Sequence, residues 1–415
     1  MFQKEIYVAS YADAGVDYAK IAAFKKIMHD LSRKTLSFPR KRGIYISETI
    51  THAHGAIYEY RGDIPYLSVQ TQEGLGNKNW IAEWMYRYKA DGKTYYRGIG
   101  IDTALMAVND CVAQGAMPVI FTDEIIAGDS VWFTDLSRAR DLALGFEEVC
   151  REVGMALPQG ESSSLRYIVN PRGTLPSVPA LSGCVTGIIT PIENLLTRDR
   201  IQAGDAIIGV ASSGLHANGI SLVIEIAETL KHHLLTKIPR TERTLGEEAL
   251  ITTRSYAGLV ESLLKKRVRI HGIIPGTGSG LSKLAVHSVP FTYVIQHSMR
   301  VPQIFLFLRA CGVALEECLN TFNWGIGYYL IVPREEVDPV LLVGTGAGYN
   351  LSLIGFVENG AREVIYEPAG IILKHPESSE QQSLPRERNV GKDPMFGYGT
   401  EQPSLGPSHT QKTFE

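Results

Sequence analysis

Residues 10–17 combine two aspartates with a glycine, a combination suited to phosphate and cation binding. Gly15 stands between Asp13 and Asp17, just before a helical pattern begins. Glycine lets backbone N–H groups approach an anion closely, and the aspartates provide ligands for a cation. The alternative is an ordinary helix start in which Asp13 or Asp17 caps the first turn.

A second glycine segment, TQEGLGNK, directly follows the strand-like run YLSVQ. Glu73 is a suitable Mg²⁺ ligand, and Lys78 adds a positive charge for a phosphate group. Gly74 and Gly76 lack the Cβ that would keep an anion away from the backbone. The segment predicts a site for a metal-bound phosphate, although a hairpin or strand-to-helix turn explains the glycines equally well.

Two further acids lie in DTALMAVNDCVAQG, which predicts a helix over residues 102–115 with Asp102 at its N-terminus. Asp110 follows eight positions later, on the same side of such a helix, with Asn109 beside it. Carboxylates on an otherwise apolar helix are costly to bury without a cation, which favours metal binding over capping and solvent exposure. Glu161 adds a fourth acid, in what reads as a polar turn over residues 158–164.

The second half of the chain contains one segment rich in small and polar residues. It lies over residues 209–219, between a strand and a helical run, and contains Ser213, His216 and Asn218. Small residues and hydroxyls at a helix N-terminus predict an anion or nucleotide-sugar site. Taken by itself, His216 is more often a structural hydrogen-bonding residue.

Strand and helix patterns alternate along the chain, so the sequence predicts an α/β or α+β fold. Apolar periodicity predicts a long helix over 136–153, and an apolar run with small residues predicts a strand over 179–190. A Pro and charged turns after Thr190 place a domain junction at 190–191. We therefore expect domains over 1–190 and 191–373. Residues 374–415 are rich in Pro, Ser, Gln and Gly and are predicted to form a flexible tail.

Composition limits the class of protein. The 415 residues contain 41 Lys and Arg against 44 Asp and Glu, so no dominant basic field favours nucleic acid. Neither a secretory signal nor a membrane span is predicted. Five scattered cysteines without a C-x-x-C pair argue against a zinc ribbon or disulfide framework. These features predict a cytoplasmic protein with neither a nucleic-acid nor a membrane partner.

Six segments, in order, resemble the aminoimidazole ribonucleotide (AIR) synthetase family, also called phosphoribosylformylglycinamidine cyclo-ligase. They are SYADAGVD, GLGNK, GIDTALMAVNDCVAQGAMP, SSGLHANGISL, TLGEEALITTRSY and NTFNWGIGYYLIVP. The resemblance implies a two-domain fold, with an N-terminal domain that forms a dimeric β-barrel and a C-terminal α/β domain. It also implies a homodimer that uses ATP and Mg²⁺ to cyclise formylglycinamidine ribonucleotide to aminoimidazole ribonucleotide in purine biosynthesis. ATP would phosphorylate the formamide oxygen, and ADP and phosphate would be released.

The resemblance also implies roles for individual residues. The expected metal ligands are Glu73, Asp102, Asp110 and Glu161. The residues expected at the nucleotide are Asp13, Gly15, Asp17, Gly74, Gly76, Lys78 and Ser213. Those expected to act on the small ribonucleotide substrate are His216, Asn218 and Asn109.

The sequence departs from the family pattern at several glycine motifs. Glu73 and Asn77 replace an Asp and a Thr of T-D-G-V-G-T-K, and Gln159 replaces a glycine of G-G-E-T. Pro275 stands where a second histidine is expected. Selenophosphate synthetase and hydrogenase maturation factors share the superfamily but are disfavoured by the cysteine positions. A paralogue with another substrate, or a non-catalytic dimeric scaffold that binds nucleotide, is the alternative.

Overall fold

The structure is a computed structural model that describes residues 15–47, 57–286 and 289–374. Asp13 and residues 375–415, which include nearly all of the predicted tail, lie outside the described residues. Within the described residues, ten α-helices occur: α1 Tyr18–Ser32, α2 Lys78–Tyr88, α3 Tyr96–Val112, α4 Leu136–Val153, α5 Ile220–Thr229, α6 Leu245–Ala249, α7 Ala257–Lys265, α8 Gln303–Ala310, α9 Leu315–Thr321 and α10 Val337–Gly346.

The strands of the described residues form two main sheets and one small hairpin-like sheet. They are β1 Ile44–Ile46, β2 Tyr58–Tyr60, β3 Leu67–Gly74, β4 Met117–Ala127, β5 Ala156–Ser164, β6 Ala180–Ile189, β7 Ala206–Ala211, β8 Gly272–Pro275, β9 Phe291–Ile295, β10 Ile326–Val332, β11 Leu351–Asn359, β12 Glu363–Tyr366 and β13 Ile371–Leu373. The predicted mixed α/β content is confirmed.

The first sheet has the strand order β3-β6-β4-β5, with only the β4–β5 pair parallel. Helices α3 and α4 cover one face, where Phe121 of β4 meets Phe146 of α4 edge to face, with ring centroids 5.3 Å apart. The opposite face presents alternate residues of β3, and Gln70 and Gln72 there are exposed. The core of this half therefore lies on the helix side of the sheet.

The second sheet has the order β13-β12-β9-β11-β7-β10-β8 and is antiparallel except for the β12–β9 pair. Its strand β10, IGYYLIV, is buried along its whole length, as expected for a strand with neighbours on both sides. The first sheet ends at Ile189 and the second begins at Ala206. The predicted junction at 190–191 lies between these two strands.

The local predictions differ in outcome. The helix predicted over 136–153 is confirmed as α4, whose first turn is capped by Asp135 and which ends at Gly154 in a left-handed conformation. The strand predicted over 179–190 is confirmed as β6. The predicted turn at 158–164 is wrong, because these residues lie in β5, paired in parallel with β4.

The helix predicted to begin at Asp102 starts earlier, at Tyr96. Asp102 is therefore in the second turn and cannot cap the helix. The predicted start of α3 was wrong for two reasons. The side chain of Tyr95 does not cap the helix, and buried residues of the helix lie on nearly all of its sides. Asp102 precedes an apolar run and therefore resembled an N-cap residue, although it is itself a buried residue of the helix.

Glycine permits the close crossing of α3 and α4. A Cβ on Gly100 would lie 3.2 Å from the Cα of Gly145 and closer still to the carbonyl oxygen of Leu142. We expect Gly100→Ala to lower the free energy of unfolding by about 2 kcal/mol, because the clashing atoms belong to the backbone of α4. Urea unfolding would measure this change.

The matched control is Gly346→Ala at the end of α10, where an added Cβ meets no atom within 4 Å. This change should be neutral or stabilising by up to about 1 kcal/mol, the difference in helix propensity. Equal effects at the two glycines would contradict close packing as the reason for Gly100.

Across the residues that the structure describes, no helix combines the length and the apolar character needed to cross a membrane. All five cysteines lie in the described ranges as free thiols.

Candidate functional site

A cleft of about 620 Å³, here called the large cleft, opens between segments from the two halves of the chain. Its walls come from the β3–α2 turn, the loop of residues 169–180 and the first turns of α5. The Nδ2 atom of Asn77 donates to the Oγ atom of Ser221 at 2.9 Å, so a side chain bridges the two halves of the chain at this point.

Two helix N-termini reach the large cleft. Helix α2 begins after Asn77 and α5 begins after Gly219, and neither preceding residue caps its helix with a side chain. Uncapped N-termini leave backbone N–H groups free and carry partial positive charge, which favours an anion. Arg172, Glu225 and Glu228 also line the cleft. The two helix N-termini and Arg172 are therefore the groups of this cleft that are suited to a phosphate group.

The glycines predicted at this position leave the turn open. Gly76 has a φ of +72°, a conformation that strongly favours glycine, and a Cβ there would meet only the carbonyl oxygen of Ala217, at 4.0 Å. A Cβ on Gly74 would meet nothing within 4 Å. A ligand can therefore approach the backbone of this turn.

Glu73 and Asp110, two of the four acids expected at the metal, lie close enough for their charges to influence each other. Burial raises the pKa of Glu73, and the charge of Asp110 raises it further. Burial also raises the pKa of Asp110, which the ammonium of Lys283 opposes. The Oδ1 atom of Asp110 is buried without a hydrogen-bond partner.

This acid pair fits one Mg²⁺ ion, because Mg²⁺ is usually bound by one or two carboxylates together with waters and substrate phosphates. The unpartnered Oδ1 atom of Asp110 supports that fit. Over residues 15–47, 57–286 and 289–374, no three His, Cys, Asp or Glu side chains lie close enough together to hold a metal ion. The four predicted acids thus do not form one cluster in the protomer.

Asp102 and Lys78 are engaged elsewhere, in an ion pair that is completely buried. The Lys78 Nζ atom lies 2.8 Å from the Asp102 Oδ2 atom, and both side chains are 0% exposed. Lys78 also donates to the carbonyl oxygen of Ile251 at 2.7 Å, and the Asp102 Oδ1 atom accepts from the Thr253 N–H at 2.7 Å. Both charges therefore tie the first half of the chain to the TLGEEALITTRSY segment, and neither faces the large cleft.

Asn109 forms a second tie to the same segment. Its Nδ2 atom donates to the carbonyl oxygen of Arg254 at 3.0 Å, and its Oδ1 atom accepts from the Tyr256 N–H at 3.1 Å. The side-chain amide is thus occupied by backbone partners. The geometry supports a structural role for Asn109, and its predicted action on substrate has no support from these contacts.

Among the second-half residues, His216 and Ser213 are held by the protein and Asn218 is not. The Nε2 atom of buried His216 accepts from the Ser213 N–H at 3.3 Å, and the Ser213 hydroxyl donates to the Thr252 carbonyl oxygen at 2.6 Å. The Nδ2 atom of Asn218 has no partner. Its Oδ1 atom would be 3.7 Å from a Cβ on Gly278. Asn218 is therefore the member of this group whose amide nitrogen is buried without a hydrogen-bond partner.

His216 makes a testable contribution to acid sensitivity. Burial and the charge of Lys78 lower the pKa of His216 to about 3, from an ordinary value of 6.5. The unfolded chain therefore takes up the proton first. The stabilisation is complete above the unfolded pKa and declines by about 1.4 kcal/mol per pH unit as the pH falls toward the folded pKa.

The measurement is urea unfolding of the wild type and His216→Gln between pH 7.5 and 4, values that span most of the window between those two pKa values. The wild type should lose stability more steeply than the variant as the pH falls. Parallel curves would show that His216 is not buried as a neutral imidazole.

The N-terminal segment begins the described residues at Gly15. Asp17 caps α1, since its Oδ1 atom accepts from the Ala19 and Lys20 N–H groups at 3.0 and 3.4 Å. The capping alternative considered for Asp17 is therefore confirmed. The carbonyl oxygen of Gly15 accepts from the Ser130 N–H at 3.0 Å. Phosphate binding by Gly15 and Asp17 stays a prediction.

Glu161 lies away from Glu73. Register pairs Glu161 with Glu124, Glu124 with Ser182, and Ser182 with Gly74, so three strand spacings separate it from β3. Its side chain is 60% exposed and lies 4.0 Å from the Lys25 ammonium. Within one protomer it does not reach the acid pair.

Sequence reasoning assigned no role to three residues that the structure places beside the predicted ones. Lys283 and Arg198 line a smaller cavity together with Asp110. Asn323 donates to the carbonyl oxygens of Gly214 and Leu215, at 2.8 and 3.2 Å, and so supports the Ser213–Asn218 loop. A polar residue inside the recognised NTFNWGIG turn was an available signal for Asn323. Nothing in the local sequence distinguishes Lys283 or Arg198 from surface cations.

Comparisons with known proteins identify both halves of the chain. Residues 69–189 match the family model "AIR synthase related protein, N-terminal domain", and residues 202–367 match the corresponding C-terminal domain. A phosphoribosylformylglycinamidine cyclo-ligase of Desulfotalea psychrophila is 31% identical, over 86% of this chain and 96% of its own length. One from Lactobacillus helveticus is 34% identical, over 79% of this chain and 88% of its own length.

Solved structures show the same fold. Hydrogenase maturation protein HypE, solved in complex with ATP, superposes with a TM-score of 0.54 and 18% identity over 82% of this chain and 93% of its own. Thiamine-monophosphate kinase from Stenotrophomonas maltophilia gives a TM-score of 0.55 and 14% identity over 82% and 94%. With both domain models matched and relatives above 30% identity over nearly their whole length, the chain belongs to the AIR synthase family.

Proposed function

We propose that this protein cyclises formylglycinamidine ribonucleotide to aminoimidazole ribonucleotide, with ATP converted to ADP and phosphate. Membership of the family and the names of its relatives support this activity. The observation in this chain that carries it is the large cleft, where two uncapped helix N-termini meet close to the turn that follows Glu73. Carbon–nitrogen bond formation by phosphate activation requires such a site for phosphate groups.

The chemistry of the proposed reaction balances in two steps. The γ-phosphoryl group moves from ATP to the formamide oxygen and ADP is released. The amidine nitrogen then attacks the activated carbon, a C–N bond forms, the C–O bond breaks, and phosphate and a nitrogen proton leave. Positioning and electrostatic stabilisation of the phosphoryl group supply most of the catalysis in such transfers.

Each part of the site has a task in this proposal. The N–H groups at the starts of α2 and α5, with Arg172, bind phosphate oxygens. Glu73 and Asp110 would hold Mg²⁺, which would supply positive charge to neutralise the phosphate groups. The free amide of Asn218 donates a hydrogen bond to the substrate. His216 and Asn109 hold the surrounding loops in place.

A homodimer is part of the proposal. The open face of the first sheet is polar and exposed at Gln70, Gln72, Glu124 and Glu161. A second copy packed on this face would close the two four-stranded sheets into a shared barrel and would surround Glu161 with protein. Sedimentation equilibrium should give about twice the chain mass of 45.7 kDa. A monomer at micromolar concentration would contradict the shared barrel.

The activity is tested by following ADP release with Mg·ATP, with and without formylglycinamidine ribonucleotide, together with formation of the imidazole product. ADP and aminoimidazole ribonucleotide in equal amounts would establish the cyclo-ligase. ATP binding without product would instead favour a paralogue that binds nucleotide and has another substrate or none.

A further inference from the structure

A second, smaller cavity lies between the two halves of the chain, and Asp110 is one of its lining residues. It measures about 330 Å³ and is lined by residues of β3, α3, the 195–198 segment and the β8 region. Its described lining residues include none of those of the large cleft. It is therefore a separate compartment of the same interdomain region.

Two cations and one carboxylate line this small cavity: Lys283, Arg198 and Asp110. The Lys283 ammonium donates to the Thr277 hydroxyl, which holds it against the turn that carries Gly278. No direct ion pair joins Lys283 to Asp110 within 4.0 Å among the described residues, yet their charges influence each other. The Lys283 ammonium is therefore close to the Asp110 carboxylate but does not form a direct ion pair with it.

The charge balance of the small cavity favours an anion. Asp110 is the one carboxylate among the described lining residues of this cavity. Lys283 and Arg198 together then exceed the negative charge they face. A further unsatisfied group, the Asp110 Oδ1 atom, is available for a hydroxyl or a metal ion.

We propose that the small cavity binds the phosphate group of a phosphorylated sugar, with Lys283 and Arg198 as its ligands. The identity of that sugar as the ribonucleotide substrate rests on the proposed function. A reaction between ATP and a ribonucleotide involves two phosphate-bearing molecules, and each needs an anion site of its own. The large cleft provides one such site and the small cavity provides the other.

The test uses ribose 5-phosphate as the probe and isothermal titration calorimetry on the full chain, with EDTA and without ATP. Lys283→Met should abolish one class of binding site or weaken it by at least about tenfold, because a charge-assisted contact is lost. Lys283→Arg should keep that site. Lys266→Met, which changes an exposed lysine, should bind as the wild type does.

A second measurement locates the site without any substitution. Acetylation of lysines, mapped by mass spectrometry, should slow at Lys283 when ribose 5-phosphate is present and remain unchanged at Lys266. If Lys283→Met fails to fold by thermal unfolding, Arg198→Met and this protection experiment answer the same question. Unchanged stoichiometry and affinity in the folded variants, or acetylation of Lys283 that ignores the probe, would overturn the proposal.

Neither the calorimetry nor the acetylation experiment requires turnover. The sugar-phosphate site and the proposed function can therefore be contradicted independently. Binding that depends on Lys283 in a protein without cyclo-ligase activity would remove the proposed function and keep the sugar-phosphate site. Full cyclo-ligase activity together with ribose 5-phosphate binding that does not depend on Lys283 would keep the proposed function and remove the sugar-phosphate site.

Discussion

Lys78→Met should lower the free energy of unfolding by about 3–5 kcal/mol, the usual result of removing one partner from a buried ion pair. The Asp102 carboxylate would keep its bond from the Thr253 N–H but would lose its counter-ion in a region that is 0% exposed. The Ile251 carbonyl oxygen would lose its donor as well. Urea unfolding followed by circular dichroism would measure the change.

The matched control is the double variant Lys78→Met with Asp102→Leu. Replacing both charges by apolar side chains of similar size removes the uncompensated charge, so the double variant should be more stable than Lys78→Met alone. A single variant as stable as the wild type would mean that the pair does not hold the two halves together. A double variant less stable than the single one would contradict the burial of Asp102 as a charged group.

Asp110→Ala should reduce turnover with Mg·ATP by about 100-fold or more while leaving the fold intact, because one carboxylate of the phosphoryl site is lost. The stability should be equal to or slightly above that of the wild type. The reason is that the Asp110 Oδ1 atom has no partner to lose and its charge is costly to bury. Steady-state kinetics and thermal unfolding of the same preparation would measure both effects.

The comparison with Asp102 makes this prediction specific. Asp102 and Asp110 lie on one helix eight residues apart, yet Asp102→Ala should destabilise the protein and Asp110→Ala should not. Asp63→Ala, at an exposed position, should change neither turnover nor stability. Unchanged kinetics in Asp110→Ala would remove this residue from the site, and loss of stability there would assign it a structural role.

Local sequence patterns were sufficient to predict an element whose limits are set by short-range interactions. The apolar repeat, the Asp135 cap and the Gly154 terminus together define α4, so this helix was predictable to the residue. The 158–164 segment was not, because its glycine and serines read as a turn, and only pairing with β4 extends them into a strand. Helix α3 was misplaced at its start because burial on nearly all sides removes the pattern of an exposed face.

The sequence by itself determined the α/β class and the family, and it singled out polar residues such as Asp102, Asn109 and Asp110. Only the tertiary structure separated their roles. Spacing placed Asp102, Asn109 and Asp110 together, but the packing of the 251–256 segment engages the first two and leaves Asp110 free. It also brought Lys283 and Arg198, far apart from Asp110 in sequence, into the same cavity. Side-chain partners at long sequence separation are set by how the two sheets pack, and no local pattern encodes them.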